Sequence, residues 1–267
     1  MDIQLAFILA LTFVIHLVGT LAYAFRIAGI RTGHIAVAFS LFNILVLVSR
    51  ISNSFQAPFL AKRVETAIVD PGLHHLALDF ALVIAAASVA TLAGGLLIPS
   101  FQRYSTAAVG AFRRTRSVPR LMVRALTPRG LVLLSQSVAL PRYANVRQLR
   151  IGGAVPAGIV LLNIAVTALW TVGALAAIYA GSLEPQYRVT ASTLSAIING
   201  VATIMMFVVI DPFLAGLTDD VVAGRASEKD FRRAVIWMVT SRFAGTVLAQ
   251  ALLLPSALLI AWVARLI

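Results

Sequence analysis

Six apolar runs, each long enough to cross a lipid bilayer, constrain what this chain can fold into more than any other feature. They occupy residues 3–25, 35–60, 76–98, 154–180, 189–210 and 234–263. A helix rises about 1.5 Å per residue, so some twenty residues cover the ~30 Å hydrocarbon core. Within that core each backbone N–H and C=O must be satisfied internally, which leaves helices as the natural solution. The expected fold class is an all-α polytopic membrane protein with six transmembrane helices. Composition agrees, with 60% apolar and 12% charged residues, outside the globular range. The chain has no cysteine, which excludes disulfide staples, thiol nucleophiles and thiolate metal sites. Ala22-Tyr23-Ala24 mimics a signal-peptidase site, but only Asp2 precedes the first run, which is also too long for a leader. It reads as a retained span.

Charge supplies the orientation. Residues 101–150 carry ten of the 22 Lys and Arg and no Asp or Glu, and the whole chain has a net charge of +12. Taken alone such a block would suit nucleic acid. Between membrane spans it reads instead as a cytoplasmic anchor that attracts anionic membrane lipids, and nucleic acid is not an expected partner. Arg26 and Arg31 place the end of the first span on the same side. The expected topology is a multi-pass protein of the bacterial plasma membrane with both termini external and residues 101–153 cytoplasmic. Arg116, Arg120 and Arg124 recur every four residues, as on one face of an interfacial amphipathic helix that Pro119, Pro128 and Pro141 cut into pieces. Residues 131–140 are too short to span and would lie in the interface or re-enter. Residues 211–233 mix acids and bases and read as a structured cytoplasmic loop.

The two halves share landmarks. At an offset of 156, Tyr23-Ala24 pairs with Tyr179-Ala180, Asn43 with Asn199, and Pro99-Ser100 with Pro255-Ser256; at 154, Pro58-Phe59-Leu60-Ala61 pairs with Pro212-Phe213-Leu214-Ala215. Three spans per half force opposite orientations in the bilayer, the inverted-repeat plan of many transporters. Chance in a low-diversity apolar sequence is the competing account. The expected organisation is a three-helix half over 1–100, a basic connector over 101–153 and a second three-helix half over 154–267.

Ionisable residues within spans mark candidate chemistry, because an Arg at bilayer depth costs at least ~2.5–3.5 kcal/mol and must face a cavity or a partner. Arg50 lies roughly 24 Å along the second span. With Asn53 and Gln56 beside it, it could hold an anionic group; the alternatives are snorkelling, or pairing with Glu65 or Asp79. Arg242 falls in the inner half of the sixth span, with snorkelling or pairing to Asp211 as its alternatives. His16, mid-way along the first span, is either a packed helix contact or a contact to a polar substrate. Adjacent His74 and His75 point apart on a helix, and no metal site or cofactor is expected. Asp219 and Asp220 faintly match lipid phosphotransferase carboxylates, which keeps a membrane phosphotransferase or phosphatase open as an alternative. A non-transporting scaffold that gathers anionic lipid is a third reading.

The stretches Thr12-Phe13-Val14-Ile15-His16, Arg26-Ile27-Ala28-Gly29-Ile30-Arg31-Thr32-Gly33, Ser40-Leu41-Phe42-Asn43-Ile44-Leu45-Val46-Leu47-Val48-Ser49-Arg50 and Gln56-Ala57-Pro58-Phe59 resemble the Amj family, bacterial lipid II flippases that can substitute for MurJ. The resemblance implies a transporter rather than an enzyme. Its substrate would be an undecaprenyl-diphosphate-linked peptidoglycan precursor, moved from inner to outer leaflet. Arg26 or Arg31, Arg242 and Arg50 could then receive the diphosphate in turn. No ATPase motif is present. An inside-negative potential favours outward movement of an anion by about 2.3 kcal/mol per charge per 100 mV, so no motor domain is required. A homodimer is compatible with so narrow a bundle.

Overall fold

The computed structural model describes residues 2–125, 127–139, 141 and 155–267. Arg142, Arg147 and Arg150 of the basic connector lie outside the described residues. The described chain is built of helices: α1 Ile3–Thr32, α2 Ile35–Val69, α3 Leu76–Thr115, the short α4 Val118–Ala125 and α5 Pro128–Gln136, α6 Ala157–Leu183, α7 Arg188–Thr193, α8 Ser195–Met205, α9 Asp211–Val222 and α10 Glu228–Leu266. A 3-10 turn, Pro185–Tyr187, precedes α7, and a π-helical segment, Met206–Ile210, joins α8 to α9. Six spans are long and apolar enough to cross a membrane, the fifth being the composite run Pro185–Val222.

Local chemistry sets the ends. Asp2 caps α1 by accepting from Leu5 N–H at 2.7 Å, the pattern of a helix N-cap. Gly33 stops α1 in the left-handed region at φ 67°, with Gly33 N–H bonded to Ile30 O and His34 N–H to Gly29 O. Those two bonds form a Schellman motif, which satisfies carbonyls the helix leaves open. Ser227 and Asp230 form a capping box at the start of α10.

The long helices overrun the sequence-based bounds. α2 continues through Pro58, α3 through Pro99 and α10 through Pro255. A proline would end most soluble helices, but in a bilayer the neighbouring helices and local backbone adjustment hold the segment together. α3 therefore carries Arg103, Arg113 and Arg114 in its own last turns rather than in a separate connector. Residues 211–222 likewise continue the fifth span as α9, so the expected loop shrinks to a turn before Ser227. Arg116 sits in that short gap after α3 at φ 46°, off the α4 face that carries Arg120 and Arg124.

A few helix pairs carry most of the packing. The most extensive contacts are α1 on α3 and α6 on α10, followed by α1 on α2 and α6 on α8. The helices before residue 126 meet those after residue 154 mainly through α3 and α10. Gly95 allows this, since a Cβ there would stand 2.7 Å from Val239 Cγ1 on α10, and Gly94 lets α3 approach α1, since a Cβ there would stand 2.7 Å from Thr20 Cβ. Small residues at a crossing are the means by which membrane helices approach closely. One apolar core joins Leu5, Leu60, Phe80, Val172 and Ile260, and a second, towards the other end, joins Tyr23, Ile98, Ile210, Phe231 and Met238.

The two ends differ in charge. At one end Arg63 on α2 bridges Asp79 and Asp2, each at 2.7 Å, and Arg265 pairs with Glu184. That end holds the bases Lys62, Arg63, Arg188 and Arg265 against the acids Asp2, Glu65, Asp70, Asp79 and Glu184. The described basic residues other than these, Arg50 and Arg242 lie towards the opposite end, where Arg31 pairs with Glu228 at 2.8 Å.

Candidate functional site

His16, Gly19, Tyr23 and Arg26 follow one another at i, i+3, i+7 and i+10 and so share one face of α1. α10 lays Arg242 against that face. A Cβ at position 19 would stand only 2.6 Å from the Arg242 Nη2, so glycine there leaves the space the guanidinium fills. Gly19 is at the middle of the 30-residue α1, which puts this cation near mid-depth of the span. One helical turn pair further on, Arg26 bonds Asp211 at 2.9 Å and lies 4.9 Å from the centre of the Phe39 ring. Arg26 thereby ties α1 to both α2 and α9.

The arrangement leaves Arg242 without a counter-ion. Asp211, the alternative partner read from sequence, is taken by Arg26. Among the described residues Arg242 has no hydrogen-bond or ion-pair partner, and its Nε is enclosed. His16 Nδ1 on the facing helix is also enclosed and unpartnered. An uncompensated buried charge costs several kcal/mol, and polar groups held at such cost inside a membrane mark functional sites by default. A guanidinium with free N–H groups beside an imidazole and a tyrosine presents the donor chemistry that pairs with the oxygens of a phosphate or diphosphate.

Neighbouring elements hold the cluster in place. Asn163 on α6 donates to Met238 O at 3.0 Å and to Ser241 Oγ at 2.7 Å, fixing α10 next to Arg242; Asn163 Oδ1 has no partner. Before Asp211, the π-helical segment ends with Asp211 N–H bonded to Met206 O. Pro212 follows at once. Its ring clashes with the carbonyl four residues back, and the wider turn relieves this, a feature often found beside functional sites.

The other sequence candidates lie elsewhere. Arg50 and Asn53 are exposed on the outward face of α2, beside exposed Leu47, Val48, Ile51 and Phe55. Gln56 turns inward and donates to Thr12 Oγ1 at 2.5 Å. Steps of three residues fall about 60° short of a full turn, which over two steps carries Gln56 off the Arg50 face. Asp79 is the partner of Arg63, not of Arg50. Arg31 is held by Glu228, away from Arg242. His74 Nδ1 lies 3.9 Å from Asp2, and His75 is exposed at the start of α3. Asp220 pairs with Arg225 at 2.7 Å, and Asp219 beside it is exposed at the end of α9.

The model of the family described as Amj, alternate to MurJ, matches residues 11–264. The chain belongs to the Amj family. It is 36% identical over 266 residues to the lipid II flippase Amj of Bacillus subtilis (strain 168), an alignment covering 98% of this chain and 97% of that protein. No solved structure matches it. For this Amj family member, sequence marks Tyr23 only as a repeat landmark and Asp211 only as an alternative partner for Arg242, and it does not single out Asn163 or Arg63. Tyr23 could have been found from the face it shares with His16 and Arg26. Arg63 was hidden by ending the second span at Pro58.

Proposed function

We propose that this chain moves a lipid-linked diphosphate sugar, lipid II, from the inner to the outer leaflet of the bacterial plasma membrane. The observation that carries the reading is the mid-depth Arg242, half-buried against Gly19 on the α1 face that also carries His16 and Tyr23, with its Nε enclosed and no counter-ion among the described residues. The prenyl tail of such a substrate stays in lipid. Its diphosphate needs a cation at a depth where water is scarce, and Arg242 supplies one. Arg26 and Asp211 position α9 beside this station, and Arg31 sits nearer the basic end. The exposed pair Arg50 and Asn53 on α2 forms a second station for the anion. The basic end faces the cytoplasm by the positive-inside rule, which puts the first and last helix ends outside. The matched packing of α1–α3 and α6–α10 supports two inverted three-helix halves that rock about the α3–α10 contact.

The test is reconstitution into liposomes with a labelled lipid-diphosphate sugar. Protein-dependent loss of label protection without release of phosphate is expected. Phosphate or headgroup release that stops on Asp220→Asn would instead make the chain an enzyme. Arg50→Ala should slow translocation with the fold intact, and a normal rate in that variant removes Arg50 from the path.

A further inference from the structure

We propose that the basic end holds a dedicated site for the phosphate head of an anionic phospholipid, in a cavity walled by the last turns of α3 with α4 and α5. This site is separate from the Arg242 cluster and does not rest on the flipping reading. The cavity has a volume of about 410 Å³. Ala107, Ala108 and Ala111 of α3 with Leu121 and Leu133 give it an apolar lining, and Tyr104, Arg114 and Arg124 add the polar groups.

Three observations converge on a lipid. First, position: α3 has 40 residues, about twice the length that crosses the hydrocarbon core at ~1.5 Å per residue. Its part beyond Pro99 therefore emerges at headgroup level. Second, closure: α4 and α5 fold back along α3 and are clasped to it by Ser100, whose Oγ donates to Ala139 O at 3.0 Å and accepts from Ala139 N–H at 2.9 Å. The cavity is thus a half-open groove walled by three helices rather than a flat face. Third, charge: Arg114 and Arg124 are exposed, have no carboxylate partner among the described residues, and residues 101–150 contain no acid that could supply one. Two unopposed guanidinium groups over an apolar floor match a phosphate on an acyl-chain stem. A soluble phosphate would use the arginines and leave the floor empty, so the commitment is to the lipid.

Native mass spectrometry of the full chain, purified from liposomes of phosphatidylglycerol and phosphatidylcholine, reads the site out. The wild-type protein should retain phosphatidylglycerol in preference to phosphatidylcholine as detergent is stripped. Arg114→Gln with Arg124→Gln should abolish the preference. Arg113→Gln with Arg120→Gln removes the same charge outside the cavity and should keep it. Ala111→Trp fills the floor without changing charge and should also lose the lipid. Circular dichroism and the elution volume in detergent confirm that each variant is folded. Retention in the cavity double variant overturns the proposal, as does equal loss in the control double variant, which would reduce the site to a diffuse basic surface. Displacement of the lipid by inorganic phosphate would reassign the cavity to a soluble anion and overturn it as well.

Discussion

Arg63 and Arg242 are both arginines enclosed within the bundle, and their surroundings give them opposite tasks. Arg63 is 4% exposed and meets two carboxylates, so it is structural. Removing one partner of a buried pair leaves the other charge uncompensated, and Arg63→Gln should therefore cost about 3–5 kcal/mol in unfolding experiments in detergent. Asp2 in the same bridge accepts from the Leu5 backbone and from Arg63, which together hold its carboxyl below the usual carboxylate range. A lowered folded-state pKa stabilises above the unfolded value and is lost as pH falls through the folded one. Unfolding midpoints should thus decline on acidification below about pH 4, and Asp2→Asn should flatten that decline. Arg242 has no such partner among the described residues, and the N–H groups it leaves free are the ones the proposed function uses. Gly19→Ala should push its guanidinium aside at little cost in stability, because the displaced atoms end a flexible side chain, while slowing translocation. An unfolding midpoint lowered as far as that of Arg63→Gln would show that the contact is structural instead. Arg242 was legible in the sequence because any intramembrane Arg stands out, whereas its lack of a partner was not, since Asp211 lay within reach until the fold gave it to Arg26.

At the scale of elements, prolines and glycines decided what could be read. The apolar runs located all six spans, but Pro58 and Pro99 marked false ends, because the penalty that stops a soluble helix is absorbed by neighbours in a bundle. The fifth span shows the converse. Asp211-Pro212 reads as a helix end from charge and proline alone, yet a π-helical turn carries the helix on to Val222. The position of α3 between α1 and α10 depends on Gly94 and Gly95. Gly94→Val would drive side-chain atoms into the β-branched Thr20, which cannot rotate away, so a loss of about 1–3 kcal/mol by overpacking is expected. Thermal unfolding in detergent measures it, and an unchanged midpoint would mean that the helices separate freely at this crossing.

For the whole molecule, the spacing of landmarks at 156 residues and the matched contacts of α1–α3 and α6–α10 support one plan used twice. The charged cluster breaks that plan. The position 156 residues before Arg242 is Ala86, so Arg242 has no charged counterpart at that offset. The apolar runs made the class of protein legible, and the residues of the first quarter made its family legible. Which ionisable groups come together depended on helix rotation and on competition for a single carboxylate, neither of which spacing determines. The central claim is that Arg242 receives the substrate's diphosphate, and translocation in liposomes by Arg242→Gln tests it most directly. Loss of a charge-assisted hydrogen bond of ~1.5–3 kcal/mol predicts a rate lower by about ten- to a hundredfold with an unchanged unfolding midpoint. A wild-type rate in the folded variant would contradict the account.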